Sequence, residues 1–223
     1  MQKNDTEQML CQIDAVIFDL DGTLADSMGI WLELDRDFFD DRNMEFPKDL
    51  NEKIEGMGFT ETAVYFKERF HMEESVEEIK QSWNDTAFEK YRTNAVLKPA
   101  ARAFIALLKE KGIRIGIATS NSNLLVEEFL RVQGLTDSID AVTTVCDVSS
   151  GKPDPEVYLV TAKKLGIEPE RCLVFEDVPM GILAGKNAGM RVCGVEDTYA
   201  EHLREKKMEL ADYYIDDFTD LFA

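Results

Sequence analysis

"IDAVIFDLDGTLADS", Ile13 to Ser27, is the stretch on which the reading of the fold turns. Four apolar residues, Ala15 to Phe18, run without interruption and stop at Asp19, with Asp21, Gly22 and Thr23 directly behind. A continuous apolar run of this length suits a strand of a parallel sheet covered on both faces, whereas a half-solvated strand would alternate. Its carboxyl end presents two acidic side chains beside a glycine turn. Two like charges about 4 Å apart repel by roughly 4 kcal/mol at an effective dielectric near 20, so the pair calls for a cation or a shared proton.

Similar runs recur at 113–118 (IRIGIA), 140–144 (DAVTT), 172–175 (CLVF), 191–195 (RVCGV) and 212–215 (DYYI). Helical patterns with readable ends separate them. Pro99 sits near the first turn of one whose face carries Phe104, Ile105 and Leu108, and Gly112 can close it. Asp154 and Pro155 read as the N-cap and first turn of another, which Gly166 can end. This alternation predicts an α/β fold, a Rossmann-like doubly wound parallel sheet. Between Met28 and Val96 the rhythm breaks. "GIWLELDRDFFDDRN", "TETAVYFKERF" and "VEEIKQSWNDTAFEKYR" read as helices, with no convincing strand among them. The predicted organisation is a core of residues 12–27 and 97–223 with an inserted α-helical cap domain at 28–96. The insertion enters directly after the paired aspartates, where it would form a lid.

Composition narrows the function. A formal net charge of −19 over 223 residues argues against nucleic acid or an anionic membrane as partner. The four cysteines are far apart and form no CxxC pair, so neither a zinc site nor a disulfide framework is indicated, and three of them read as buried thiols in strand-like contexts. The polar N-terminal dozen has no signal-peptide character and reads as a frayed end; no run reaches membrane-span length, so a soluble cytoplasmic protein is expected. His71 and His202 lack ligand spacing and read as surface residues.

Ligands of open α/β sheets bind beyond the carboxyl ends of the strands. Those ends carry Asp19 and Asp21, then Thr119 and Asn121, then Glu176 and Asp177, while the loop after Val145 carries Lys152. All-oxygen donors with few protein ligands suit Mg²⁺. Singly, each signal has an ordinary reading. Lys152 would be a solvated lysine, Thr119 a strand-end residue, and Glu176-Asp177 a helix N-cap. A calcium-loop reading of Asp19 fails because its twelfth position is Ile30, and "SGKP" is no P-loop, since Cys146 stands at the first glycine and Pro153 at the Ser/Thr.

Taken together, "FDLDGTLADS", "ATSN", "SGKPDPEVY" and "FEDVPMGILAGKNAGM" resemble the four motifs of the haloacid dehalogenase superfamily of phosphohydrolases, and in particular its β-phosphoglucomutase-like members with a helical cap. The resemblance implies a Mg²⁺-dependent phosphatase of small phosphorylated metabolites such as sugar phosphates. Asp19 would be the nucleophile, giving an aspartyl-phosphate, and Asp21 the acid/base. Mg²⁺ would be held by Asp19, the Asp21 carbonyl, Asp177 and Glu176, the last directly or through water. Thr119, Lys152 and, more weakly, Asn121 would bind the phosphoryl group.

Asp21 argues against a dehalogenase, which needs no acid/base there. A phosphomutase is the nearer rival. Trp31 stands where the mutase carries a histidine, and the cap-loop region "EGMGFTETAV" has no basic residue before Lys67 to grip a second phosphate. Inorganic pyrophosphatase and a phospho-ligand sensor without turnover are further alternatives, the last disfavoured because Asp21 and Lys152 are both present. Gly56 and Gly58 would give the cap loop its turn, and Trp31, Met57 and Phe59 are the candidates for shaping specificity, against simple packing. Neither a monomer nor a dimer is favoured.

Overall fold

The structure is a computed structural model and describes residues 3–54, 57 and 59–222. The strands are β1 Ala15–Phe18, β2 Ala25–Asp26, β3 Val96–Leu97, β4 Arg114–Thr119, β5 Ala141–Thr144, β6 Cys172–Glu176, β7 Arg191–Val195 and β8 Tyr213–Ile215. The helices are α1 Lys3–Met9, α2 Met28–Asp41, α3 Leu50–Ile54, α4 Phe59–Arg69, α5 Val76–Asn94, α6 Ala101–Glu110, α7 Asn123–Gln133, α8 Glu156–Leu165, α9 Pro179–Asn187 and α10 Arg204–Leu210. One six-stranded sheet has the order β5-β4-β1-β6-β7-β8, every neighbouring pair parallel. The chain builds one side of β1 with β4 and β5, then crosses to build the other with β6, β7 and β8. The crevice where such an order reverses lies at the carboxyl end of β1.

Helices cover both faces, which is why the strands read as continuous apolar runs. Val16 and Phe18 of β1 pack towards α6 and α7, whereas Ala15 and Ile17 pack towards α8 and α9. Four phenylalanines fill the first layer. Phe18 and Phe175, paired in register across β1 and β6, stack with centroids 5.3 Å apart. Phe104 and Phe218 close on them at 5.4–6.1 Å. All four are fully buried.

Four expectations change. Strands β2 and β3 pair antiparallel where the chain leaves and re-enters the sheet unit, a pairing of two residues each that carries no periodic signal. The described part of the N-terminal segment, from Lys3 on, is helical and docked rather than frayed. Thr6 Oγ1 donates to the Leu221 carbonyl at 3.0 Å, and Met9 is fully buried against the core. Cys172 and Cys193 are buried in β6 and β7, but Cys146 is exposed. It lies on a tight turn in which the Thr144 hydroxyl accepts the Cys146 N–H at 3.2 Å and Asp147 accepts the Thr144 N–H at 3.1 Å. Finally, Pro155 takes the cap position of α8, while the Asp154 carboxylate accepts the Glu156 N–H at 2.9 Å. Gly166 does close that helix, at φ +71°.

Helices α2 to α5 occupy the segment between β2 and β3 and have an aromatic cluster of their own, built on Phe38, Phe39, Phe59, Phe66 and Trp83. Helix α5 starts in a reciprocal cap, in which Ser75 accepts the Glu78 N–H at 3.2 Å and Glu78 accepts the Ser75 N–H at 2.7 Å. No helix among the described residues is long and apolar enough to cross a membrane.

Because Phe104 touches the other three rings of its layer, Phe104→Ala is expected to lower unfolding stability by about 3–5 kcal/mol. Denaturant titration followed by circular dichroism measures it. A loss below 1 kcal/mol would contradict this account of the core.

Candidate active site

Register brings the first acidic residues together. The Asp19 N–H donates to the Phe175 carbonyl at 3.0 Å, which extends the β1–β6 ladder by one residue and sets Asp19 beside Glu176. The Lys152 ammonium lies between them, donating to Asp19 at 2.6 Å and to Glu176 in a second short contact. Glu176 is fully buried and fully occupied. One of its oxygens takes Lys152 and the Tyr158 hydroxyl (2.9 Å); the other takes the N–H groups of Asp177 (2.9 Å) and Val178 (3.2 Å). Gly181 makes the room, since a Cβ there would fall 1.8 Å from Glu176 Oε1.

Asp177 accepts a hydrogen bond from Thr23 at 2.9 Å. Gly22, at φ +82°, passes so close that a Cβ would lie 2.3 Å from Asp177 Oδ2, so this turn admits only glycine. One oxygen from each of Asp19, Glu176 and Asp177 falls within a 4.8 Å group. Burial pushes the Asp19 carboxyl well above its ordinary range; Lys152 opposes this, and Glu176 and Asp177 add to it. Asp177 is pushed up to about 8, by burial first and then by Glu176 and Asp197. For Lys152, burial acts downward, but Asp19 and Glu176 outweigh it and hold the ammonium well above its ordinary value. Ionised together, the three carboxylates exceed the one ammonium by two negative charges. A divalent, oxygen-preferring cation such as Mg²⁺ fits that donor set in both hardness and charge.

Asp21 stands apart, held by three other elements. One carboxylate oxygen accepts from Ser27 at 2.5 Å and from the Tyr91 hydroxyl of α5 in a short contact; the other accepts from Asn121 Nδ2 at 2.8 Å. The Tyr91 hydroxyl in turn accepts from Trp31 Nε1 and Asn121 Nδ2, both at 2.9 Å. Burial and the neighbouring Asp21 charge hold the Tyr91 phenol well above its ordinary value, so it stays a donor. Asn121 thus commits both donor hydrogens within the protein. Thr119 Oγ1 accepts the Asn121 N–H at 3.1 Å, which leaves its own hydrogen available to a ligand.

A cavity of about 300 Å³ opens over these groups. All ten residues singled out in the sequence line it: Asp19, Asp21, Thr119, Asn121, Lys152, Glu176 and Asp177 on the sheet side, Trp31, Met57 and Phe59 on the helical side. Trp31 and Phe59 also pack, with ring centroids 6.3 Å apart, and Phe59 lies 5.5 Å from Trp83. Gly56 and Gly58 lie outside the described residues. His202, although exposed, borders the cavity. Sequence reasoning missed Ser27, Tyr91, Tyr158 and Asp35. Ser27 was within reach, inside the quoted motif; Tyr91 lies seventy residues from Asp21, and a buried tyrosine on a helix carries no local mark.

Asp35 is the unexpected lining residue. No hydrogen bond or ion pair reaches its side chain among the described residues, and burial alone pushes its carboxyl from 3.8 to about 7. The folded state therefore binds this proton more tightly than the unfolded chain. Stability falls as pH rises from about 4 to about 7, and the full cost stands above that. Asp35→Asn removes the titration. It is expected to stabilise the protein by about 2 kcal/mol at pH 8 relative to its effect at pH 4, read from urea midpoints at both pH values. A gap independent of pH would show that Asp35 is solvated.

The model of the haloacid dehalogenase-like hydrolases matches residues 16–195. The phosphorylated carbohydrates phosphatase of Thermotoga maritima is 33% identical over 187 residues, covering 82% of this chain and 85% of that one. Hexitol phosphatase B of Escherichia coli is 30% identical over 224 residues, covering 95% and 96%. Among solved structures, CbbY of Rhodobacter sphaeroides in complex with phosphate superposes with a TM-score of 0.83 at 25% identity, covering 94% of this chain and 96% of that one. The family match over most of the chain and the identity to these phosphatases show that the chain belongs to the haloacid dehalogenase-like hydrolases.

Proposed function

We propose that the protein is a Mg²⁺-dependent phosphatase that hydrolyses small phosphorylated metabolites, sugar phosphates among them, through an aspartyl-phosphate. The observation that carries this reading is the separation of the two strand-end aspartates. Asp19 sits in the cation-demanding cluster with Lys152, whereas Asp21 is held outside it by Ser27, Tyr91 and Asn121. The two carboxylates are thereby given different surroundings, Asp19 in the cluster as nucleophile and Asp21 outside it as acid/base.

Asp19 attacks phosphorus while the bond to the ester oxygen breaks, and Asp21 gives its proton to the departing alkoxide. Asp21 then takes a proton from water, which attacks the same phosphorus and returns Asp19 and inorganic phosphate. Lys152 and the Thr119 hydroxyl neutralise and bind the phosphoryl oxygens. Asp19, Asp177 and the Asp21 carbonyl would hold Mg²⁺, which supplies countercharge to the phosphate. Glu176, its lone pairs already committed, contributes by fixing Lys152. Asn121 steadies Asp21 more than it contacts phosphate. The helices of residues 28–96 serve as a cap domain over this chemistry.

The helical wall of the cavity disfavours the mutase and pyrophosphatase readings. Among the described lining residues it offers no lysine or arginine to a second phosphate. Lys67, the first basic residue after the cap loop, donates instead to the carbonyls of Met72 (3.0 Å) and Glu74 (2.5 Å).

The test is phosphate release from a panel of phosphorylated metabolites and pyrophosphate, with Mg²⁺ or EDTA. Release is expected only with Mg²⁺ and is expected to drop about 10³-fold or more in Asp19→Asn. In Asp21→Asn, mass spectrometry should find Asp19 phosphorylated by a reactive aryl phosphate without multiple turnover. Full turnover by Asp19→Asn would sink the covalent route. Phosphate exchange between isomers upon addition of a bisphosphate would favour the mutase.

A further inference from the structure

The phosphoryl chemistry accounts for the floor of the cavity and leaves its far wall unexplained. Met28, Trp31, Leu32 and Asp35 recur at the spacing of one helical face, and this face of α2 lines the cavity. Three of the four are apolar. The fourth is a half-buried carboxyl with no partner among the described residues, and partial desolvation pushes it up to about 7. An acidic group in an apolar wall is costly unless something bonds to it. Every other acidic residue among the described lining residues has a hydrogen bond or an ion pair within the protein, down to Asp197, which pairs with Lys98 at 2.6 Å. Asp35 is the exception, and it lines the same cavity as Asp19, Thr119 and Lys152.

We propose that Asp35 is a specificity-determining residue, whose carboxyl accepts hydrogen bonds from the hydroxyls of a neutral polyhydroxylated leaving group, so that the preferred substrate is the monophosphate of a sugar or sugar alcohol. This rests on the phosphatase reading above. Two adjacent hydroxyls match the two oxygens of one carboxyl, and the indole of Trp31, one turn away on the same face, offers a flat apolar surface to a sugar ring. Titrating near neutrality, Asp35 both donates and accepts, which suits hydroxyls; an ammonium offers only donors. A second phosphate would meet a like charge whenever Asp35 is ionised and, among the described lining residues, no lysine or arginine beyond Lys152, which Asp19 and Glu176 already share. Asp35 therefore selects for hydroxyls and against bisphosphates with the same group.

The experiment uses the full-length protein with Mg²⁺ and five probes: a hexitol monophosphate, n-hexyl phosphate, a hexosamine phosphate, a hexose bisphosphate and p-nitrophenyl phosphate. For the parent, Asp35→Asn and Asp35→Leu, the readout is kcat/KM for each probe divided by that for p-nitrophenyl phosphate. The parent is expected to favour the hexitol monophosphate over the other four. In Asp35→Leu that ratio should fall about 10–100-fold, chiefly through KM, with partial recovery in Asp35→Asn, whose amide oxygen still accepts. An unchanged ratio in Asp35→Leu, or a parent preference for the hexosamine or the bisphosphate, would overturn the proposal. If the parent released phosphate from no probe, the phosphatase reading would fail separately. The assignment would then be decided by titrating hexitol monophosphate calorimetrically into Asp19→Asn protein with and without Asp35→Leu. A Kd at least about tenfold weaker in the double variant supports Asp35, and equal Kd values overturn it.

Discussion

One ammonium holds this site together. Lys152 is buried between Asp19 and Glu176, themselves brought side by side by the parallel register of β1 and β6. A buried cation that loses a partner, or a buried carboxylate that loses its cation, costs about 3–5 kcal/mol, so the three groups constrain one another. Glu176 cannot move without abandoning Tyr158 and two backbone N–H groups, and Asp19 cannot move without breaking the extended ladder. With Asp177 added, the surplus of carboxylates makes an acidic cluster that could hold a divalent cation.

From that fixed point the cavity divides into two chemistries. Strand ends make a charged floor, and helices α2, α4 and α5 make an aromatic and aliphatic wall. Asp21 joins them, since its bonds come from Ser27 just after β2, from Asn121 just after β4, and from Tyr91 on α5. The helical segment also reaches the sheet unit through the Phe59 N–H on the Ser120 carbonyl (3.3 Å) and through Ser122 Oγ on Asn84 (2.8 Å). Docking of the helices and placement of the Asp21 carboxylate are therefore one event.

Much of the layout was legible in the chain. The strands of the sheet showed as continuous apolar runs because both faces are covered, and β7 matches its predicted range of 191–195 residue for residue. Helix ends at Gly112 and Gly166 showed because a left-handed residue after a helix favours glycine. Less was legible where the signal is not local. Two-residue strands have no period, the polar helix α1 is held by contacts with the far terminus, and Cys146 leaves the strand pattern because a threonine-capped turn intervenes.

By itself, the sequence determined the sheet, the helical insertion and the acidic, hydroxyl and lysine groups at the strand ends, because hydrophobic period and short motifs are properties of neighbouring residues. Tertiary structure alone decided who serves whom. It turned Asn121 towards Asp21, closed all four acceptor positions of Glu176, recruited Tyr91 and Tyr158, and left Asp35 in the cavity wall without a partner among the described residues. The physical reason is that hydrogen-bond partnership and desolvation depend on distances between residues far apart in the chain, and no local pattern encodes those distances.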